Sequence, residues 1–103
     1  SKEAEEIKKK IPGGSYTFAL CIEGKEKSSE DFAKVLSDVA LNGKSNITFI
    51  IGSSFGLSPE IKALADNKLS FSPMTFPHQL MRVMLLEQIY RAFQINNNGK
   101  YHK

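Results

Sequence analysis

Three short apolar runs, set between stretches of helical periodicity, constrain this chain more than any other feature. Tyr16 to Ile22, Ile47 to Ile51 and Leu69 to Ser72 carry β-branched and aromatic residues over the length of a buried strand. After the first run, Phe32, Val35, Leu36, Val39 and Ala40 recur at the i, i+3, i+4, i+7, i+8 spacing of a helix with one buried face. Strands alternating with helices predict an α/β fold, a parallel sheet with helices on its faces.

Local signals set the expected boundaries. Residues 2–10 read as a charged helix stopped by Ile11-Pro12-Gly13-Gly14, because proline lacks an amide donor and paired glycines favour a turn. Gly24 is expected to end the first strand. Ser28 or Ser29 caps the next helix, and Asn42-Gly43 closes it. Ser58-Pro59-Glu60 supplies a cap, a first-turn proline and an early acid for a helix through Ala65.

The last helix is expected from Thr75 or Pro77, with Thr75 as a candidate N-cap, to about Ile95. Eleven of the seventeen residues from Gln79 to Ile95 are apolar. At 100° per residue they cover nearly the whole circumference, more than one buried face explains. A second protein surface is therefore expected against this helix, with Leu85→Glu disrupting it. Three strands are few for a sheet of this kind. A domain short of its first strands, or a sheet completed from elsewhere, is the expectation.

A length of 103 residues suits one domain, and 41% apolar with 24% charged residues is a globular balance rather than a disordered one. The single cysteine, Cys21, has no disulfide partner within the chain, which points to a reducing compartment. No apolar run approaches the ~18 residues of a membrane span, and Ser1-Lys2-Glu3-Ala4-Glu5-Glu6 does not resemble a signal peptide. A cytoplasmic protein is the reading. The net charge of +3, with Lys8, Lys9 and Lys10 together and Lys100, His102 and Lys103 at the end, permits phosphate contact without requiring it.

Two segments can carry chemistry. Gly52 to Gly56 lies between a strand and a helix, where α/β proteins bind cofactors, yet it is neither a dinucleotide fingerprint nor a Walker loop. A plain tight turn is the simpler reading of it. Leu69 to His78 holds two prolines, two phenylalanines, a threonine and a histidine at a strand-to-helix junction, which suits either a packed turn or a cofactor cradle. His78 and His102 lack the companions of a zinc site, so no metal is expected. His78 reads as a capping or supporting residue, and Glu87 with Arg91 as an intrahelical pair.

Together, Leu20-Cys21-Ile22-Glu23-Gly24-Lys25, Ile51-Gly52-Ser53-Ser54-Phe55-Gly56-Leu57, the stretch Leu69 to Val83, Glu87 to Phe93 and the ending Tyr101-His102-Lys103 resemble the ribosomal large-subunit pseudouridine N3-methyltransferases of the SPOUT superfamily. The resemblance spans nearly the whole chain. It implies an α/β fold with a deep C-terminal trefoil knot and S-adenosylmethionine (SAM) held largely by backbone groups of three loops. Carried over by position, the cofactor residues are Leu20, Gly52 and Phe71, Ser72, Pro73, Met74, Thr75 and Phe76.

The resemblance further implies that Tyr101, His102 and Arg91 face the target base, that the substrate is N3 of a pseudouridine in 23S rRNA of an assembled ribosome, and that the protein is a homodimer. Members of the family usually carry a second glycine where this chain has Ser53. They also begin with a strand, a helix and another strand before the charged helix that opens here, so residues 1–103 read as one N-terminally truncated SPOUT domain. Two other readings stay open: a knotted dimeric remnant that binds cofactor or RNA weakly, and a small nucleotide-binding module using Gly52 to Gly56.

Overall fold

Phe18 and Ala19, adjacent in the central strand, point to opposite faces of one sheet, and each face has its own pair of helices. The computed structural model describes residues 2–52 and 57–98. In chain order these form α1 (Lys2–Lys10), β1 (Tyr16–Glu26), α2 (Ser29–Leu41), β2 (Ile47–Ile51), α3 (Pro59–Leu64), β3 (Asn67–Ser70) and α4 (His78–Asn96). The three strands are parallel, in the order β2-β1-β3. This is the α/β arrangement that the alternating pattern predicts.

On one face Phe18 and Leu69 pack with Phe32, Ala33 and Leu36 of α2 and Ala92 of α4. The ring of Phe18 stacks on Phe49 at 4.9 Å and 11°, and meets Phe32 edge-on at 6.1 Å. Aromatic pairs at such separations contribute about 0.5–1.5 kcal/mol each beyond the area they bury. Ser29 Oγ donates to Gln88 Oε1 at 2.7 Å and Asn96 Nδ2 donates to the Ala33 carbonyl at 3.0 Å, tying α2 to α4. On the opposite face Ala19 and Ile50 meet Ala4 of α1, Ile61 of α3 and Leu57.

The caps follow the sequence signals. Ser28 Oγ accepts from the Asp31 amide at 3.0 Å, and Ser58 Oγ accepts from the Ile61 amide at 3.3 Å with Pro59 opening α3. Thr75 does not cap α4. Pro77 holds that position and offers no side-chain hydrogen bond.

Two strand boundaries differ from expectation. β1 does not stop at Gly24 but continues to Glu26. Leu69 lies opposite both Leu20 and Lys25, so Cys21 to Gly24 form a bulge that leaves the ladder and returns to it. The return needs glycine: a Cβ on Gly24 would lie 2.8 Å from the backbone N and C of Leu69. β3 starts and ends two residues earlier than the apolar run. The Thr17 amide donates to Asp66 Oδ2, and the Asp66 amide donates to the Thr17 carbonyl, both at 2.8 Å, which pins the strand's start. After Ser70 the chain turns, with Ser70 Oγ donating to the Ser72 carbonyl and the Met74 amide donating to Ser72 Oγ.

Helix α4 buries only Leu85 and Ala92. Leu80, Val83, Leu86, Tyr90 and Phe93 remain 47–63% exposed, at spacings that follow one stripe along the helix. Leu85 therefore belongs to the chain's own core, not to the outer surface on which the sequence places it.

Candidate functional site

β2 and β3 end at Ile51 and Ser70, level with Leu20, where β1 leaves the ladder for its bulge, and the crevice beyond the carboxyl ends of the strands is where open α/β sheets bind ligands. The order β2-β1-β3 makes this end a switch point, because the connection after β1 goes to one side and β3 lies on the other. A cavity of about 530 Å³ lies there, a volume within the range of small-molecule sites.

Three segments far apart in sequence form its walls. The first is Leu20, Cys21, Ile22 and Glu23, brought inward by the bulge of β1. The second is Ile51 and Gly52 at the end of β2. The third runs from Ser70 through Phe76 to His78 and Met81. Of the expected cofactor residues, Leu20, Gly52, Phe71, Ser72, Met74, Thr75 and Phe76 all line the cavity, while Pro73 is exposed and is not among the lining residues. Leu20, Ile22, Leu57, Phe76 and Met81 give the cleft apolar walls.

Four titratable lining residues, Cys21, Glu23, Lys62 and His78, were not expected as site residues. Lys62 of α3 pairs with Glu23 Oε1 of the bulge. The bond from Lys62 holds the Glu23 carboxyl below its ordinary value, and the same bond raises Lys62. Burial, and next the Glu23 charge, push the Cys21 thiol up, so it stays protonated and weakly nucleophilic. His78 Nδ1 meets the Gly52 carbonyl at 2.6 Å. No short-range signal joins Lys62 to Glu23 or His78 to Gly52, since only the strand register and the placement of the helices bring them together.

Of the expected target-side residues, Arg91 is not among those that line this cleft. Arg91 donates from Nε and Nη2 to Glu87 Oε1 at 3.0 and 2.6 Å, one turn apart on α4. It lies ten residues beyond Met81, about 15 Å along the helix axis. Tyr101 and His102 lie outside the described residues. Among the described residues no group of three or more His, Cys, Asp or Glu could hold a metal ion, and no helix is long and apolar enough to cross a membrane.

The family described as "Predicted SPOUT methyltransferase" matches residues 1–102. The chain is 58% identical over 102 residues to the ribosomal RNA large subunit methyltransferase H of Clostridioides difficile (strain 630), across 99% of this chain and 64% of that protein. It is 57% identical to the protein of the same name from Ligilactobacillus salivarius (strain UCC118) and 53% to that from Exiguobacterium sp. (strain ATCC BAA-1283 / AT1b), each over 99% of this chain and 64% of the relative. The chain thus spans about 64% of the length of these curated relatives.

Proposed function

Because this chain belongs to the SPOUT methyltransferase family, we propose that it is part of an rRNA methyltransferase that uses SAM to methylate N3 of a pseudouridine in 23S rRNA of the large ribosomal subunit. The observation that carries the reading is the convergence of Leu20, Gly52 and the Phe71 to Phe76 segment on one cleft at the carboxyl ends of the strands. The relatives are named as ribosomal RNA large subunit methyltransferases, which supports the RNA substrate. A trefoil knot through the C-terminal part of the chain and a cytoplasmic location belong to the same reading.

The cleft fits SAM chemically. Its volume of about 530 Å³ is roomy enough for a nucleoside with an amino-acid arm, apolar walls suit a heteroaromatic ring, and Gly52 brings backbone without a side chain to block approach. Gly52 and the 71–76 segment would hold the adenosine part through main-chain amides and carbonyls. Lys62 and Glu23 stand on the same wall, a cation beside an anion that matches an amino-acid zwitterion. When bound, SAM supplies a methyl group made electrophilic by a sulfonium. The chain's own part is to fix the geometry, exclude water and favour the deprotonated imide nitrogen of the base, which is a poor nucleophile until its proton leaves.

Tyr101, His102 and Arg91 are proposed for that last role. Arg91 sits too far along α4 to serve the cleft of its own chain, which favours a homodimer in which one copy completes the site of the other. The exposed stripe Leu80, Val83, Leu86, Tyr90 and Phe93 is the surface such a dimer would bury. Calorimetry with SAM and with ATP, joined to a radiolabel transfer assay on large ribosomal subunits, tests the reading. SAM binding and labelled rRNA support it. Binding of ATP in place of SAM would favour a nucleotide-binding module, and SAM binding without transfer would favour the inactive remnant.

A further inference from the structure

We infer that His78 is a positioning residue for the cofactor, its Nδ1–H holding the Gly52 carbonyl and so joining two walls of the cleft. The inference rests on the reading of this cleft as the SAM site. A carbonyl only accepts, so the ring nitrogen at 2.6 Å must carry the proton on Nδ1. The two residues are 26 positions apart, one leaving β2 and the other opening α4, and both line the cavity. Pro77, which precedes His78, has no amide hydrogen and caps nothing with its side chain. The His78 ring is the side-chain link between these two segments among the described residues.

Gly52 has no side chain, so it can recognise a ligand only through its peptide groups. A peptide unit is planar, and holding its oxygen sets the direction of the whole unit. With the hydrogen bond made before the ligand arrives, the ligand meets an oriented edge rather than one it must order itself, which lowers the entropic cost of binding. His78 thus acts on the ligand through Gly52 rather than by contact with the reacting atoms.

The test uses the full-length protein and two variants. His78→Phe keeps a ring and removes the donor. His78→Asn places an amide N–H near the position of Nδ1. Calorimetric titration with SAM is expected to show His78→Phe binding about three- to tenfold more weakly, the worth of one hydrogen bond, and His78→Asn recovering to within about twofold. The loss in kcat/KM on ribosomal subunits is carried by KM for SAM. Nitrogen NMR of the ligand-free protein shows the His78 ring protonated at Nδ1. Equal affinity for wild type and His78→Phe, an Asn variant as weak as the Phe variant, or a ring protonated at Nε2 alone overturns the inference and leaves the functional reading intact. Failure of the wild type to bind SAM overturns both.

Discussion

Gly24 passes so close to Leu69 that the two backbones leave no room for a methyl group between them: a Cβ on Gly24 would sit 2.8 Å from the Leu69 amide nitrogen. The same contact returns the Cys21 to Gly24 bulge to the ladder, and the bulge forms one wall of the cleft. Stability and the shape of the cleft are therefore coupled at this point.

Gly24→Ala is expected to lower stability by about 1–3 kcal/mol, since the obstacle is backbone and cannot rotate away. In thermal melting that is a drop of roughly 4–8 °C per kcal/mol for a domain of this size. SAM affinity falls with it, as the strand shifts to make room. A melting temperature unchanged by the substitution would show that β1 and β3 are not packed this closely.

The two sides of α4 are expected to respond differently to a buried charge. Val83→Glu or Leu86→Glu leaves the protomer folded and yields monomers in light scattering, because both side chains are about 60% exposed in the single chain. Leu85→Glu, 5% exposed and packed within the protomer, unfolds it instead. A Leu86→Glu protein that still scatters as a dimer would remove the stripe as the interface.

Cys21 is the only cysteine, so alkylation reports on the cleft without interference. Its pKa is raised by burial first and by the Glu23 charge second. The thiolate fraction, and with it the rate of iodoacetamide reaction, should therefore reach its midpoint at a pH above the ordinary thiol value. Glu23→Gln moves the midpoint down, because a neighbouring anion is gone. Lys62→Met moves it up, because a cation that favours the thiolate is lost. Saturating SAM slows the reaction at every pH. Midpoints that do not separate between the two variants would count against this arrangement of charges.

Phe18 is fully buried at the centre of the aromatic group. Phe18→Ala is expected to cost about 3–5 kcal/mol, the sum of lost transfer energy and the cavity left behind. Urea denaturation measures it through the midpoint. A cost under about 1 kcal/mol would mean that the neighbouring rings close the space, against the close packing seen at Phe49 and Phe32.

Much of the fold was legible because its signals are short-ranged. Ser28 and Ser58 cap their helices as read, since a cap involves only the next three residues. Ile47–Ile51 is a strand as read. Misjudged boundaries mark places where a distant contact decides. Gly24 resembles a strand end until Leu69 is placed against it, and Asn67 joins β3 because the Asp66 carboxylate takes the Thr17 amide. In the cleft, the cofactor residues read from motif resemblance, all but Pro73, line one cavity, whereas the pairing of Lys62 with Glu23 and the bond of His78 to Gly52 were not visible in any local pattern.

By itself the sequence determined the order and type of the elements and the family, because helix periodicity, strand alternation, caps and contiguous motifs all live within a few neighbouring residues. Only the tertiary structure decided which distant groups meet: His78 on the Gly52 carbonyl, Lys62 on Glu23, the Leu69 backbone under Gly24, and Leu85 turned inward while Leu86 faces out. Those pairings depend on strand register and helix rotation, which arise when whole elements pack, and no local preference of the chain encodes them.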